Sequence, residues 1–220
     1  MNALDFSNGR DAVEQAVKRA ESRTAAEVVC VVATESGRYD RAESLVGVVF
    51  ALFGLAAADV AWNARLPNGG WGEPAPLLLL AAAVIVGFVS GVLLASVVHR
   101  LRRVFVSQRE LDEEVEAGAD RAWVRTGAGA TKKRSGVLVY VSLFEHRVVV
   151  RLDEAVRAAA GEAFARELCA KAVEGLKAGK REAVLVELID AVSAALAEKL
   201  PARPGEGDEL PNHLVTWHPR

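Results

Sequence analysis

Residues 76–98, PLLLLAAAVIVGFVSGVLLASVV, run for 23 positions without a charged side chain. A bilayer core of about 30 Å needs about 20 apolar residues, because a helix rises only ~1.5 Å per residue. This stretch is long enough to cross. Upstream, residues 44–62, SLVGVVFALFGLAAADVAW, form a second apolar stretch interrupted by Asp59. The connector 63–75 carries Pro67, Gly69, Gly70, Gly72 and Pro74, which makes it a turn and not a third helix. The region 43–98 therefore reads as a two-helix transmembrane hairpin, with helices over about 44–62 and 76–98. The competing reading is a core hairpin of a soluble protein, which rarely shows so long an uncharged run. Asp59 lies one turn before Trp62, and tryptophan favours the membrane–water boundary. It reads as a hydrated interfacial group, with a functional intramembrane carboxylate as the alternative.

Charge sets the expected orientation. Arg38 and Arg41 precede the hairpin, His99-Arg100-Leu101-Arg102-Arg103 follow it, and the connector holds only Arg65. Lys and Arg collect on the cytoplasmic side. The opening residues, MNALDF, have neither a basic start nor an apolar core, so no signal peptide is read there. The expectation is an integral, two-pass membrane protein with both termini and the remaining domain cytoplasmic.

The rest of the composition mostly excludes. The chain has 220 residues, a formal charge of −2 and a hydrophobic fraction of 51%, with the apolar excess concentrated in the hairpin. Near-neutral charge argues against a nucleic-acid partner. The basic run Lys132-Lys133-Arg134 is short and lacks interleaved aromatics. Cys30 and Cys169, and the histidines at 99, 146, 213 and 218, show no metal-ligand spacing. Residues 127–132, GAGATK, lack the order of a phosphate loop and follow an expected helix instead of a strand. No GxSxG elbow, HExxH pair or EF-hand loop is present, so no catalytic constellation is legible.

Outside the hairpin, Val13, Ala16, Val17 and Ala20 give 8–22 a helical period. Residues 27–33, EVVCVVA, are a continuous β-branched run, as in a strand buried on both faces. A charged helix is expected over 107–125, a Gly-rich loop over 126–135, and strands over 136–143 and 147–152 that can pair as a hairpin. Asp153 then stands as a helix cap before Ala-rich helices over 155–176 and 181–200, followed by a tail. The order is helix, strand, hairpin, helix, strand, strand, helix, helix. It implies a small three-layer α/β domain, discontinuous over 1–42 and 99–220, interrupted by the transmembrane hairpin. Ligands of open α/β sheets bind beyond the carboxyl ends of strands. That rule nominates Thr34, Glu35 and Ser36 with Ser142 and Glu145 as a membrane-proximal site, a plain loop being the alternative.

Three stretches also carry a family resemblance: 20–43, AESRTAAEVVCVVATESGRYDRAE; 131–156, TKKRSGVLVYVSLFEHRVVVRLDEAV; and 195–212, ALAEKLPARPGEGDELPN. They resemble the TPM domain family, named after a thylakoid lumen protein, a photosystem II repair protein and MOLO-1. This sequence has Asp208 and Asn212 where the family commonly ends in NELPD. The resemblance implies a mixed sheet flanked by helices. Members have been proposed as acid phosphatases, metal-binding proteins or complex-assembly factors. For this chain it implies a membrane-anchored interaction or assembly module with a membrane-protein partner, or alternatively a metal-dependent phosphatase-like hydrolase using a divalent cation such as calcium. Arg134 and Asp153 fall at matching positions, and Glu27 and Glu35 join them as candidate ligand or metal-proximal residues. Each also has a structural reading: a helix cap for Asp153, an ion pair for Arg134, a strand entry for Glu27 and a loop for Glu35.

Overall fold

The β-branched runs form the sheet. In the computed structural model, which describes residues 10–65, 74–161, 163–179, 181–202, 210 and 214–217, β1 (Glu27–Ala33), β2 (Gly136–Ser142), β3 (Arg147–Leu152) and β4 (Val215–Trp217) lie in the order β3-β2-β1-β4. β1 is parallel to β2, from Glu27 opposite Gly136 to Ala33 opposite Ser142, and parallel to β4 on its other side. β3 returns antiparallel to β2 through a turn in which His146 takes a left-handed φ of 55°. The sheet is therefore mixed.

The two central strands are buried on both faces, which is why they read as continuous apolar runs. Val28, Cys30, Val32, Val137, Val139 and Val141 pack into one core with α1 (Arg10–Glu21), α6 (Glu154–Ala160), α7 (Phe164–Lys177) and α8 (Arg181–Leu196). Val29, Val31, Leu138 and Tyr140 face a second, smaller core with Val115, Ala119 and Ala122 of α5 (Gln108–Thr126). Helices, sheet and helix make three layers. Acidic residues of α5 also pair with the edge strand: Asp112 with Arg147 at 2.8 Å, and Asp120 and Glu116 with Arg151.

Two expectations need correction. The helix expected over 155–176 is broken at Gly161, whose φ of 91° suits glycine, and divides into α6 and α7. The tail, expected without regular structure, supplies β4, and Thr34 N–H donates to the Trp217 carbonyl at 3.0 Å. The ending 203–209 and 211–213 lies outside the described residues, as does 66–73 of the Gly/Pro connector.

The chain divides into two compact units, 1–37 with 111–220, and 38–110. The second holds α2 (Asp40–Asn63), α3 (Leu77–Val97) and the short α4 (His99–Val104). α2 and α3 have mean hydropathies of 2.1 and 2.8 and are long and apolar enough to cross a membrane. Only 17% and 6% of their apolar windows are buried, the opposite of a soluble core hairpin. The helices pack against each other along glycines. A Cβ on Gly87 would lie 2.6 Å from the Phe50 carbonyl oxygen, one on Gly54 2.6 Å from that of Ala83, and one on Gly91 2.9 Å from Gly47 Cα. Small residues that let backbones approach are the usual seam of membrane helices. Leu52, Phe53, Ile85 and Val86 point outward and are exposed. Asp59 is exposed too, accepts a hydrogen bond from Asn63 Nδ2 at 3.1 Å, and lies one turn from Trp62, over whose ring Arg65 sits at 5.5 Å. Asp59 thus belongs to a polar end of α2.

Candidate functional site

Parallel pairing of β1 with β2 makes their following loops emerge together. Leu143 N–H and Phe144 N–H continue the ladder to the carbonyls of Ala33 and Thr34 at 3.0 and 2.9 Å. Ser36 is thereby carried over Ser142: its hydroxyl lies 2.8 Å from Ser142 Oγ and 3.0 Å from the Tyr140 hydroxyl. Ser142 donates to Glu145 Oε2, and the Ser36 backbone N–H donates to Glu145 Oε1 at 2.8 Å. All four side chains are at most 2% exposed. From α5, Arg121 donates to the Ser36 carbonyl at 2.7 Å. A Cβ on Gly118 would fall 2.5 Å from Tyr140 Oη, so glycine there lets α5 close over the phenol. Burial pushes the Tyr140 pKa up and the Glu145 charge adds to it, against the opposing pull of the Ser36 hydrogen bond and Arg121.

A hydroxyl donating to a carboxylate is the pairing from which a nucleophile and its base are made. Here both are closed off from solvent, and the bonds join the loop after β1 to the β2–β3 turn. The arrangement is a clasp. Of the residues nominated by topology, Ser36, Ser142 and Glu145 meet in it. Thr34 turns to β4, and Glu35 is partly exposed. Tyr140 and Arg121 were missed. Tyr140 read as core, although its place two residues before Ser142 puts both on one face.

A second polar cluster occupies the opposite edge. Glu27 opens β1, and its N–H donates to the Ser135 carbonyl at 3.1 Å. Arg134, with a left-handed φ of 53°, places Nε 3.5 Å from Asp153 Oδ1 and a terminal nitrogen 3.3 Å from Glu154 Oε2. Asp153 Oδ1 accepts the Glu154 N–H at 2.7 Å and caps α6, while its buried Oδ2 has no hydrogen-bond partner among the described residues. Glu27, Arg134 and Asp153 thus share the amino edge of β1 and β2, and Glu35 lies past the carboxyl edge. Seven strand residues at ~3.3 Å each put roughly 20 Å between the two edges. The four candidates do not form one site.

A calcium ion takes six to eight oxygen ligands. At the amino edge the Arg134 guanidinium already lies between the two carboxylates. At the carboxyl edge one carboxylate has both oxygens engaged. Among the described residues no group of three or more His, Cys, Asp and Glu converges. These donors do not fit a divalent cation, and no chemical step is derived through one. The thiols are unsuited to attack as well: burial pushes Cys30 up to about 12 and also raises Cys169.

Fold and clusters together define a class: a three-layer α/β domain interrupted by two helices long and apolar enough to cross a membrane. No family model matches the chain, and no curated protein matches it. Among solved structures it is similar to the NMR structure of the BA42 protein from the psychrophilic bacterium Bizionia argentinensis, at 16% identity and a TM-score of 0.55, over 96% of this chain and 94% of that one. At this identity the likeness concerns the fold alone.

Proposed function

We propose that this is a two-pass membrane protein of the TPM type, whose α/β domain lies on the cytoplasmic side and acts as an interaction or complex-assembly module. The observation that carries the reading is the closed clasp. Ser36, Tyr140, Ser142 and Glu145 satisfy one another and are buried, so the polar chemistry gathered at the carboxyl edge fixes the shape of two loops. Shaped loops present a surface to a partner. In sequence, only residues 37–39 separate Ser36 from the start of α2, and this short tether to the spanning helices favours a partner that is itself a membrane protein. The arginines flanking the hairpin support the cytoplasmic orientation.

The Ser142–Glu145 contact favours a second reading, a phosphatase-like hydrolase. Assaying the detergent-purified full chain for phosphomonoester hydrolysis, with a panel of divalent cations and with Glu145→Gln and Asp153→Asn controls, separates the two. No turnover with any cation, together with a specific membrane-protein crosslink from a photoreactive residue at position 35, supports the module. Turnover lost in either control makes the protein a hydrolase and places its site at that edge. Orientation is read independently: a cysteine introduced at Asn68 should react with an impermeant maleimide from outside the cell, and one introduced at Lys132 should not.

A further inference from the structure

The two edges of the sheet differ. β3 is covered: α7 packs along it, and Arg157 donates to the Leu152 carbonyl at 3.1 Å. β4 is the other edge. In a parallel ladder one residue bonds to both neighbours of its partner, and the next residue turns its backbone groups away. Trp217 stands opposite Ala33, and its carbonyl accepts the Thr34 N–H at 3.0 Å. Val215 and Trp217 therefore face β1, and Thr216 turns its N–H and carbonyl outward. Thr216 is exposed, and among the described residues nothing bonds to that side of it. Trp217 is half-buried against the α5-facing core, and Arg125 of α5 lies over its ring at 5.0 Å. Arg125 is exposed and pairs with no carboxylate among the described residues. The α5 carboxylates Asp112, Glu116 and Asp120 turn to arginines of β3, at the opposite edge. Glu113 and Glu114 lie about 16 Å or more back along the helix.

We propose that β4 takes an added strand: an extended, acidic segment of a partner protein docks along Thr216 and sets a carboxylate against Arg125. The Thr216 N–H and carbonyl supply the main-chain bonds, as in recognition by strand addition. Side chains of a strand alternate, so residues two apart in the added segment share the α5 side. One of them meets Arg125. Stacking on Trp217 holds that guanidinium in place and leaves its N–H groups for a carboxylate. A second copy of this chain is the wrong occupant. Its own edge, residues 213–220, holds no Asp or Glu, so self-pairing brings each arginine to a strand that cannot neutralise it. This inference rests on the interaction-module reading and names the chemistry by which the module holds its partner.

The test measures, by fluorescence anisotropy, the binding of two labelled peptides to the detergent-purified full chain. One alternates valine with glutamate, the other valine with lysine. The glutamate peptide should bind and slow amide exchange at Thr216, and the lysine peptide should bind about an order of magnitude more weakly. Thr216→Pro removes only the outward N–H, at a place where an edge strand tolerates proline, so affinity should fall roughly three- to tenfold at an unchanged Tm. Arg125→Gln leaves the strand untouched and should remove most of the difference between the two peptides. No binding of the glutamate peptide at millimolar concentration, binding without protection of Thr216, or equal binding of both peptides overturns the added strand. So does a disulfide between two copies carrying Thr216→Cys, which makes a second copy the occupant. If the peptide fails while the membrane-protein crosslink from position 35 persists, the module reading stands without its added strand. If both fail, both readings fall.

Discussion

Replacing Glu145 by alanine removes the acceptor on which the clasp depends. Its carboxylate is fully buried and takes the Ser36 N–H at 2.8 Å on one oxygen and the Ser142 hydroxyl on the other. Without it the Ser36 amide stays buried and unpaired, and such a donor costs about 1–3 kcal/mol. The Ser142 hydroxyl can rotate towards Ser36 Oγ at 2.8 Å, so its loss belongs at the low end of that range. Relief of the carboxylate's own desolvation offsets part of the cost. The balance is a destabilisation of about 2 kcal/mol. In a chain of this size each kcal/mol moves Tm by roughly 2–4 °C, so Tm should fall by roughly 4–8 °C. Glu145→Gln keeps an oxygen for Ser36 and a donor for Ser142, and loses only the added strength of the charged bonds. It should melt between the two. The assay is thermal unfolding of the detergent-purified full chain by near-UV circular dichroism, with amide exchange at Ser36 as the local reporter. If Glu145→Ala melts with the unaltered protein and Ser36 stays equally protected, the clasp does not hold these loops.

Other perturbations test separate parts. Gly87→Leu drives a side chain into the Phe50 carbonyl and should cost at least the 1–3 kcal/mol of ordinary overpacking, read as a lowered midpoint of detergent-induced unfolding; the outward-facing Val86→Leu should leave that midpoint unchanged. Cys30, held at about 12 against an ordinary 9.0, keeps a proton that the unfolded chain releases between those values. Its contribution is thus complete below pH 9 and declines as pH rises through that window, so urea midpoints should fall there, and less steeply in Cys30→Val. Asp153→Ala should cost about 1 kcal/mol through loss of the α6 cap and Asp153→Asn only a few tenths, measured by chemical denaturation. Arg134→Gly relieves the left-handed φ that strains an arginine but removes the cation beside Asp153, whose side chain is only 7% exposed, so chemical denaturation should show no gain in stability.

The fold was legible where one segment suffices to determine its own state. β1 occupies the expected residues because an unbroken β-branched run ends in polar residues on both sides. α2 and α3 follow the apolar stretches, α2 gaining a polar first turn at Asp40. The failures occur where pattern is weak and context decides. Alanine-rich sequence on both sides of Gly161 has the same helical propensity, so nothing before the bend announces it. β4 is three residues long and exists by pairing with Val31, Val32 and Ala33, a partner nearly two hundred positions away in sequence.

The carboxyl-edge cluster was partly legible for a related reason. Adjacent parallel strands must release their loops side by side, so an ordering of strands was enough to bring Ser36 towards Ser142 and Glu145. It could not identify Arg121, whose role depends on how α5 lies over the sheet. Glu35 came from the rule about strand ends and Arg134 and Asp153 from the likeness of short motifs, which carries no information about which end of a strand a residue occupies, so residues of opposite edges were grouped as one set of candidates. Tyr140 links the cluster to the packing: it belongs to the α5-facing core and also holds Ser36 by its hydroxyl. The clasp is therefore the polar margin of that smaller core. A change that loosens α5 over Gly118 reaches the loops after β1 and β2 through one phenol, without touching the larger core against α1 and α8.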